Sequence, residues 1–288
     1  FVDIKAASLV LDVTGSVGVA GNNIEIDVTG GVSGTVATNA YLQDFDLFRL
    51  DSDLTIGGIA DFDVQNTLTT DAGATLNAGT LTLNSRAGNI GTSTQSFDVN
   101  ITGVSGSVTG TAISDIWISS DTNVPVTLLR AVNTIVTNFN AALLNARSDS
   151  NANIDTKDTQ LLAASIGHSS KALRTKVENI SFKTTAGTRL TEQDDLTMSN
   201  VRYNGYAAEA TGPVVLTLIG DLSLTEMVRV TGQSEVTAQN ITVTGGDWGS
   251  LGGDTTFRAI DGLIFDVYSG GTTSQGNVLV TAGDQIVF

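Results

Sequence analysis

Cysteine is absent from this chain, which removes disulfides, thiolate metal sites and cysteine nucleophiles together. Histidine occurs once, at His168, so a Ser-His-Asp triad or a histidine-based metal centre has almost no material to work with. Basic residues are scarce. Against 30 Asp and Glu stand only 14 Lys and Arg, a formal charge of −16, and such a surface repels nucleic acid and anionic lipid. No apolar run approaches the ~20 residues of a membrane span, so no membrane insertion is expected. Proline occurs twice, at Pro125 and Pro213, each opening an apolar run where a strand tolerates a missing N–H. Glutamate is scarce as well: six of the 30 acids are Glu, and 30 − 6 leaves 24 Asp. A chain short of Glu, Lys and Arg lacks the material of long helices.

What is present is strand and turn. A hydrophobic fraction of 41% is too high for disorder. Thr, Val, Ile and Asn stand where helix formers would be. Short runs alternate with period two, as in Leu9-Val-Leu-Asp-Val13, Ile24-Glu-Ile-Asp-Val28, Phe97-Asp-Val-Asn-Ile101 and Val214-Val-Leu-Thr-Leu218, and each ends in Gly, Asn, Asp or Ser. Many short strands separated by turn residues mean an all-β protein. Asp suits the turns because its side chain accepts from nearby backbone N–H groups.

Internal repeats separate a solenoid from a sandwich or barrel. Ile90-Gly-Thr-Ser-Thr-Gln-Ser-Phe97 with Ile101 recurs as Ile166-Gly-His-Ser-Ser-Lys-Ala-Leu173 with Val177, 76 residues on (166 − 90). Ile26-Asp-Val-Thr-Gly-Gly-Val-Ser-Gly-Thr-Val36 recurs as Val99-Asn-Ile-Thr-Gly-Val-Ser-Gly-Ser-Val108 with one Gly deleted. Strand-like runs return roughly every 20 residues, the length of one solenoid turn. The expectation is a single right-handed parallel β-helix over residues 1–288, of roughly a dozen coils, in which each coil buries its apolar face against its neighbours. Two stretches look helical, 139–147 and 159–166. The second aligns with the plain strand Thr80-Leu-Thr-Leu-Asn-Ser85, and both are expected to be strand. Phe1-Val-Asp-Ile4 and Gln285-Ile-Val-Phe288 are strand-like without a polar cap, so the chain reads as a piece of a longer solenoid or as a subunit that stacks on copies of itself.

The segments 81–120 and 161–200 resemble the repeats of filamentous-haemagglutinin-like proteins, very large exported bacterial adhesins with a β-helix shaft. Leu81-Thr-Leu-Asn-Ser-Arg-Ala-Gly-Asn-Ile-Gly-Thr92 with Phe97-Asp-Val99 carries the likeness, as do Leu161-Leu-Ala-Ala-Ser-Ile-Gly-His168 with Ala172-Leu-Arg174. Ile116-Trp-Ile-Ser119 and Arg189-Leu-Thr-Glu-Gln-Asp-Asp-Leu-Thr197 add to it. The resemblance implies an extracellular or bacterial cell-surface protein, a shaft segment with no catalytic residues. Its partners would be neighbouring solenoid segments or copies of itself, and host-surface glycans or proteins. The rivals are a self-assembling subunit of an extracellular filament or surface layer, and a polysaccharide-degrading β-helix enzyme.

Candidate binding residues are the aromatics. Trp117 lies between Ile116 and Ile118 and points outward if they point inward. Trp248 lies in the Gly-rich turn Gly245-Gly-Asp-Trp-Gly249, and Tyr203 and Tyr206 flank a second turn, Asn204-Gly205. Exposed aromatics stack on sugars or form contact patches. Glu192, Asp194 and Asp195 make the densest acidic run, which is either a solvated turn or a Ca²⁺ site. No EF-hand spacing and no Gly-Gly-x-Gly-x-Asp array is present, and no other cofactor is expected. His168 sits where the other copy has Thr92, which makes it a polar turn residue.

Overall fold

The computed structural model of the chain describes residues 2–201, 206–265, 271–274 and 276–287. These residues form strands and turns with no helix, and the strands stack in parallel as a β-solenoid of about 12 turns. They fall into two compact units, Phe1–Ala141 and Ala142–Phe288. The two helix-like stretches are strand: Thr134–Asn145 takes in most of the first, and Ile154–Ile166 takes in the second.

Register shows why the sequence stacks. In the first unit Ile4 pairs with Ile26, Ile24 with Leu42 and Leu81 with Val108, steps of 22, 18 and 27 residues (26 − 4, 42 − 24, 108 − 81). Because Cβ atoms alternate across a strand, every second residue turns inward, and parallel register places like over like. Phe48, Leu68, Ile90, Ile116 and Ile135 form one such column in the first unit, and all five are fully buried. Leu54, Leu76 and Val99 form another. In the second unit Leu173, Leu190, Leu216, Val236 and Phe257 stack in the same way. Each buried Leu, Ile or Phe contributes roughly 1.5–3 kcal/mol relative to exposure.

The turns are stitched along each unit by Asp and Asn side chains that accept from the backbone of the following coil. Asp195 Oδ1 accepts from Asp221 N–H (2.8 Å), Asp221 Oδ1 from Asn240 N–H (3.0 Å), and Asn240 Oδ1 from Gly262 N–H (3.0 Å). In the first unit Asn39 serves Ile59 and Asp53 serves Thr75. The abundance of Asp is thus a ladder between coils, in addition to the local turn role read from sequence.

The 76-residue echo is a hairpin inserted into a strand face. Ile90 pairs with Ile116 and Phe97 with Ile118, so six residues, 91–96, stand opposite Trp117 alone. Ile166 pairs with Thr188 and Leu173 with Leu190, so 167–172 stand opposite Arg189 alone. Each hairpin closes on itself: Thr92 N–H donates to Gln95 O (2.8 Å), and His168 N–H to Lys171 O (2.8 Å). A third copy escapes a reading of the repeats. Val17 pairs with Ala40 and Ile24 with Leu42, leaving 18–23 opposite Tyr41, and Val19 N–H donates to Asn22 O (3.2 Å). The signal was in the sequence: Val17-Gly18, then Ile24 and Val28, repeats the spacing of Ile90-Gly91, Phe97 and Ile101. The invariant Gly has a backbone reason. Gly18, Gly91 and Gly167 have φ of 70°, 72° and 67°, and a Cβ at each would strike the carbonyl oxygen of Tyr41, Trp117 and Arg189 respectively.

Candidate functional surfaces

The aromatic candidates divide. Trp117 lies between the buried Ile116 and Ile118 and is itself only 8% exposed. The hairpin 91–96 stands opposite it in register, and alternation along the strand did not reveal that the side chain is buried. Tyr41, under the first hairpin, is also 8% exposed. Trp248 corrects the expectation of a turn. It lies in the strand Asp247–Ser250, is fully buried, and packs edge-on against Phe257 with ring centroids 5.6 Å apart. Its Nε1–H donates to Ser234 Oγ (3.1 Å), which satisfies the indole inside the core. Neither tryptophan presents a ring to solvent. Tyr206 is half-buried at the start of the strand Tyr206–Ala210, where a bulge interrupts pairing with Met227 and Val228. Tyr203 lies outside the described residues.

The acidic run does not converge. Glu192 ends the strand Thr188–Glu192 and is 2% exposed, whereas Asp194 and Asp195 are exposed. Asp194 pairs with Lys176 (3.7 Å) and Asp195 serves the turn ladder. Among the described residues no three acidic or histidine side chains form a metal-holding group. Glu192 Oε1 accepts from the N–H groups of Gln193 (2.9 Å), Val177 (3.2 Å) and Asp194 (3.4 Å). Its Oε2 and the neighbouring Thr175 Oγ1 are buried with no hydrogen-bond partner. Burial pushes the carboxyl up to about 7, while those backbone N–H groups pull the other way. Asp44 is a second interior acid. It is 2% exposed with Oδ2 unpartnered, and burial, with smaller contributions from the charges of Asp27 and Asp46, pushes it up to about 6 against the opposing Asp46 N–H. Asp44 did not stand out in the sequence and Glu192 stood out only as part of an acidic run, because an acid at an inward position differs from a turn acid only in register.

The first unit carries a polar groove of about 570 Å³. Two rows of side chains from successive coils line it: Asp98, Ser119 and Asn138, which share a register, and beside them Asn100, Asp121 and Asn140. Asn140 Nδ2 donates to Asp121 Oδ1 (2.6 Å), Asp121 N–H to Asn100 Oδ1 (3.3 Å), and Ser119 Oγ to Asp98 Oδ1. The groove offers amide, hydroxyl and carboxylate groups at the coil spacing and has no aromatic floor. The second unit has a smaller cavity of about 310 Å³ beside the hairpin 167–172, the third in chain order, lined by His168, Ser169, Arg189, Pro213 and Val215 among others. No family model, no curated protein and no solved structure matches the chain significantly.

Proposed function

We propose that the chain is a shaft segment of an exported bacterial surface adhesin or filament, of the filamentous-haemagglutinin-like kind, which holds binding surfaces away from the cell. One observation carries this reading. The three hairpin copies keep the glycine and the apolar columns while the residue after the glycine and the residue facing the hairpin change in chemistry. The position after the glycine is Val19, Thr92 and His168, and the residue facing the hairpin is Tyr41, Trp117 and Arg189. Repetition that preserves packing and discards reactive groups suits a scaffold extended coil by coil. The composition agrees, since the acidic surface disfavours nucleic acid and keeps a repetitive β protein apart from its neighbours. On such a shaft the polar groove of the first unit is the surface suited to a glycan, because stacked amides and hydroxyls match rows of sugar hydroxyls.

The test is location. Antibodies raised against the folded chain are applied to intact cells of the organism that encodes it. Surface labelling that disappears after mild protease treatment is the expected result. Labelling only after permeabilisation would overturn the proposal.

A further inference from the structure

Opposite each of the first two hairpins in chain order, 18–23 and 91–96, stands a large aromatic residue, Tyr41 or Trp117, each only 8% exposed. Under the third hairpin the equivalent residue is Arg189, and there the second unit holds its cavity of about 310 Å³. A position that carries a buried ring in two copies thus carries an arginine that lines a cavity in the third. We propose that this cavity binds a small ligand through its carboxylate, with Arg189 as the anion-binding residue and the third hairpin as its wall.

The pairing of four other arginines supports the assignment. Arg49 and Arg86 are bound by Asp71 and Asp63, Arg147 by Asp149, and Arg174 donates to the Asp149 carbonyl. Among the described residues Arg189 is the arginine that is half-buried yet has neither a carboxylate nor a hydrogen-bond partner, in a chain with 30 acids to choose from. A partly desolvated guanidinium presents a planar fork that fits a carboxylate with two hydrogen bonds. The hairpin supplies a second donor. His168 Nδ1 accepts from Ser170 N–H (3.3 Å) and lies 2.9 Å from Ser170 Oγ, which leaves the ring hydrogen on Nε2. Pro213 and Val215 give an apolar side for the body of the ligand. The cavity volume is at the lower end of small-molecule sites, about 300–1,000 Å³, so the ligand is of single-sugar or small organic-acid size. A net charge of −16 favours a singly charged carboxylate over a phosphate dianion.

His168 is the only histidine, so its imidazole Hε1 proton is a unique NMR signal beside the cavity. Sodium glucuronate is titrated into the whole chain at constant ionic strength, with glucose and inorganic phosphate in parallel. The expected result is a saturable shift of Hε1 with glucuronate, none with glucose, and saturation by phosphate only at several-fold higher concentration. Arg189→Gln removes the saturable shift, and Arg229→Gln, at an exposed arginine of the same unit, leaves it intact. Val215→Glu, which sets a carboxylate beside the guanidinium, removes it too and carries the test if Arg189→Gln loses its β circular dichroism. A shift that stays linear, or that survives in folded Arg189→Gln or Val215→Glu protein, overturns the site. Phosphate saturating before glucuronate overturns the choice of carboxylate.

Discussion

Glu192 shows how one side chain ties the fold to pH. In the unfolded chain it titrates as an ordinary glutamate near 4.5, and in the folded chain burial raises it to about 7. Between those values the folded state holds a proton that the unfolded state has released. The stabilisation is therefore complete below about pH 4.5 and is lost as pH rises through about 7, and Asp44 acts in the same sense up to about 6. For Glu192 the change is of order 2–3 kcal/mol. Urea midpoints of the parent should rise from pH 8 to pH 5. Glu192→Gln keeps an oxygen for the Gln193, Val177 and Asp194 N–H groups and removes the charge, so it should be more stable than the parent at pH 8 and show a flatter profile. Equal slopes for the two proteins would show that Glu192 is not the titrating group. Burial of Glu192 and Trp248 was hidden in the sequence for one reason: both lie beside turn residues, Gln193-Asp194 and Gly245-Gly246, and local composition reports the turn rather than the inward direction of the neighbouring side chain.

At the scale of the element, the hairpins explain why a repeat keeps Gly while letting its neighbours change. Gly91 takes φ 72° against the backbone of the next coil, and Gly21 takes φ 78° with open space around the position a Cβ would occupy. The two therefore separate backbone conformation from crowding. Gly21→Ala should cost about 1–2 kcal/mol, the left-handed penalty alone. Gly91→Ala adds the collision with the Trp117 carbonyl and should cost about 3 kcal/mol or more. Urea denaturation of the two variants decides between these, and equal losses would show that the coil beneath yields to the added carbon. The hairpin itself was half legible. The Ile-Gly echo marked it, but six residues facing one is a statement about register, and register appears only when the next coil is in place.

At the scale of the whole molecule, charge is the collective variable. Thirty acids against 14 bases repel one another, and the ion pairs Lys5–Asp27, Arg49–Asp71 and Lys176–Asp194 lie at the surface, where each contributes little. Raising NaCl at pH 8 should therefore raise the urea midpoint by screening this repulsion, and should do so less at pH 5, where carboxylates begin to take up protons. A midpoint insensitive to salt at pH 8 would mean that the turn ladder already offsets the repulsion locally.

The sequence by itself determined the class of this protein. Period-two alternation, turn residues every 20 or so positions and repeated segments demand stacked parallel strands, because short strands with one apolar side have no other way to bury it along a repeating chain. It also determined that Leu161 to Ile166 is strand, through alignment with its twin. Tertiary structure alone decided what each outward residue became. Trp117 and Arg189 occupy equivalent outer positions, and neither composition nor spacing distinguishes them from solvent-facing side chains. A hairpin in the preceding coil stands opposite both. The indole is buried and the arginine lines a cavity, because an aromatic ring is stabilised by losing water and an unpaired charge is not.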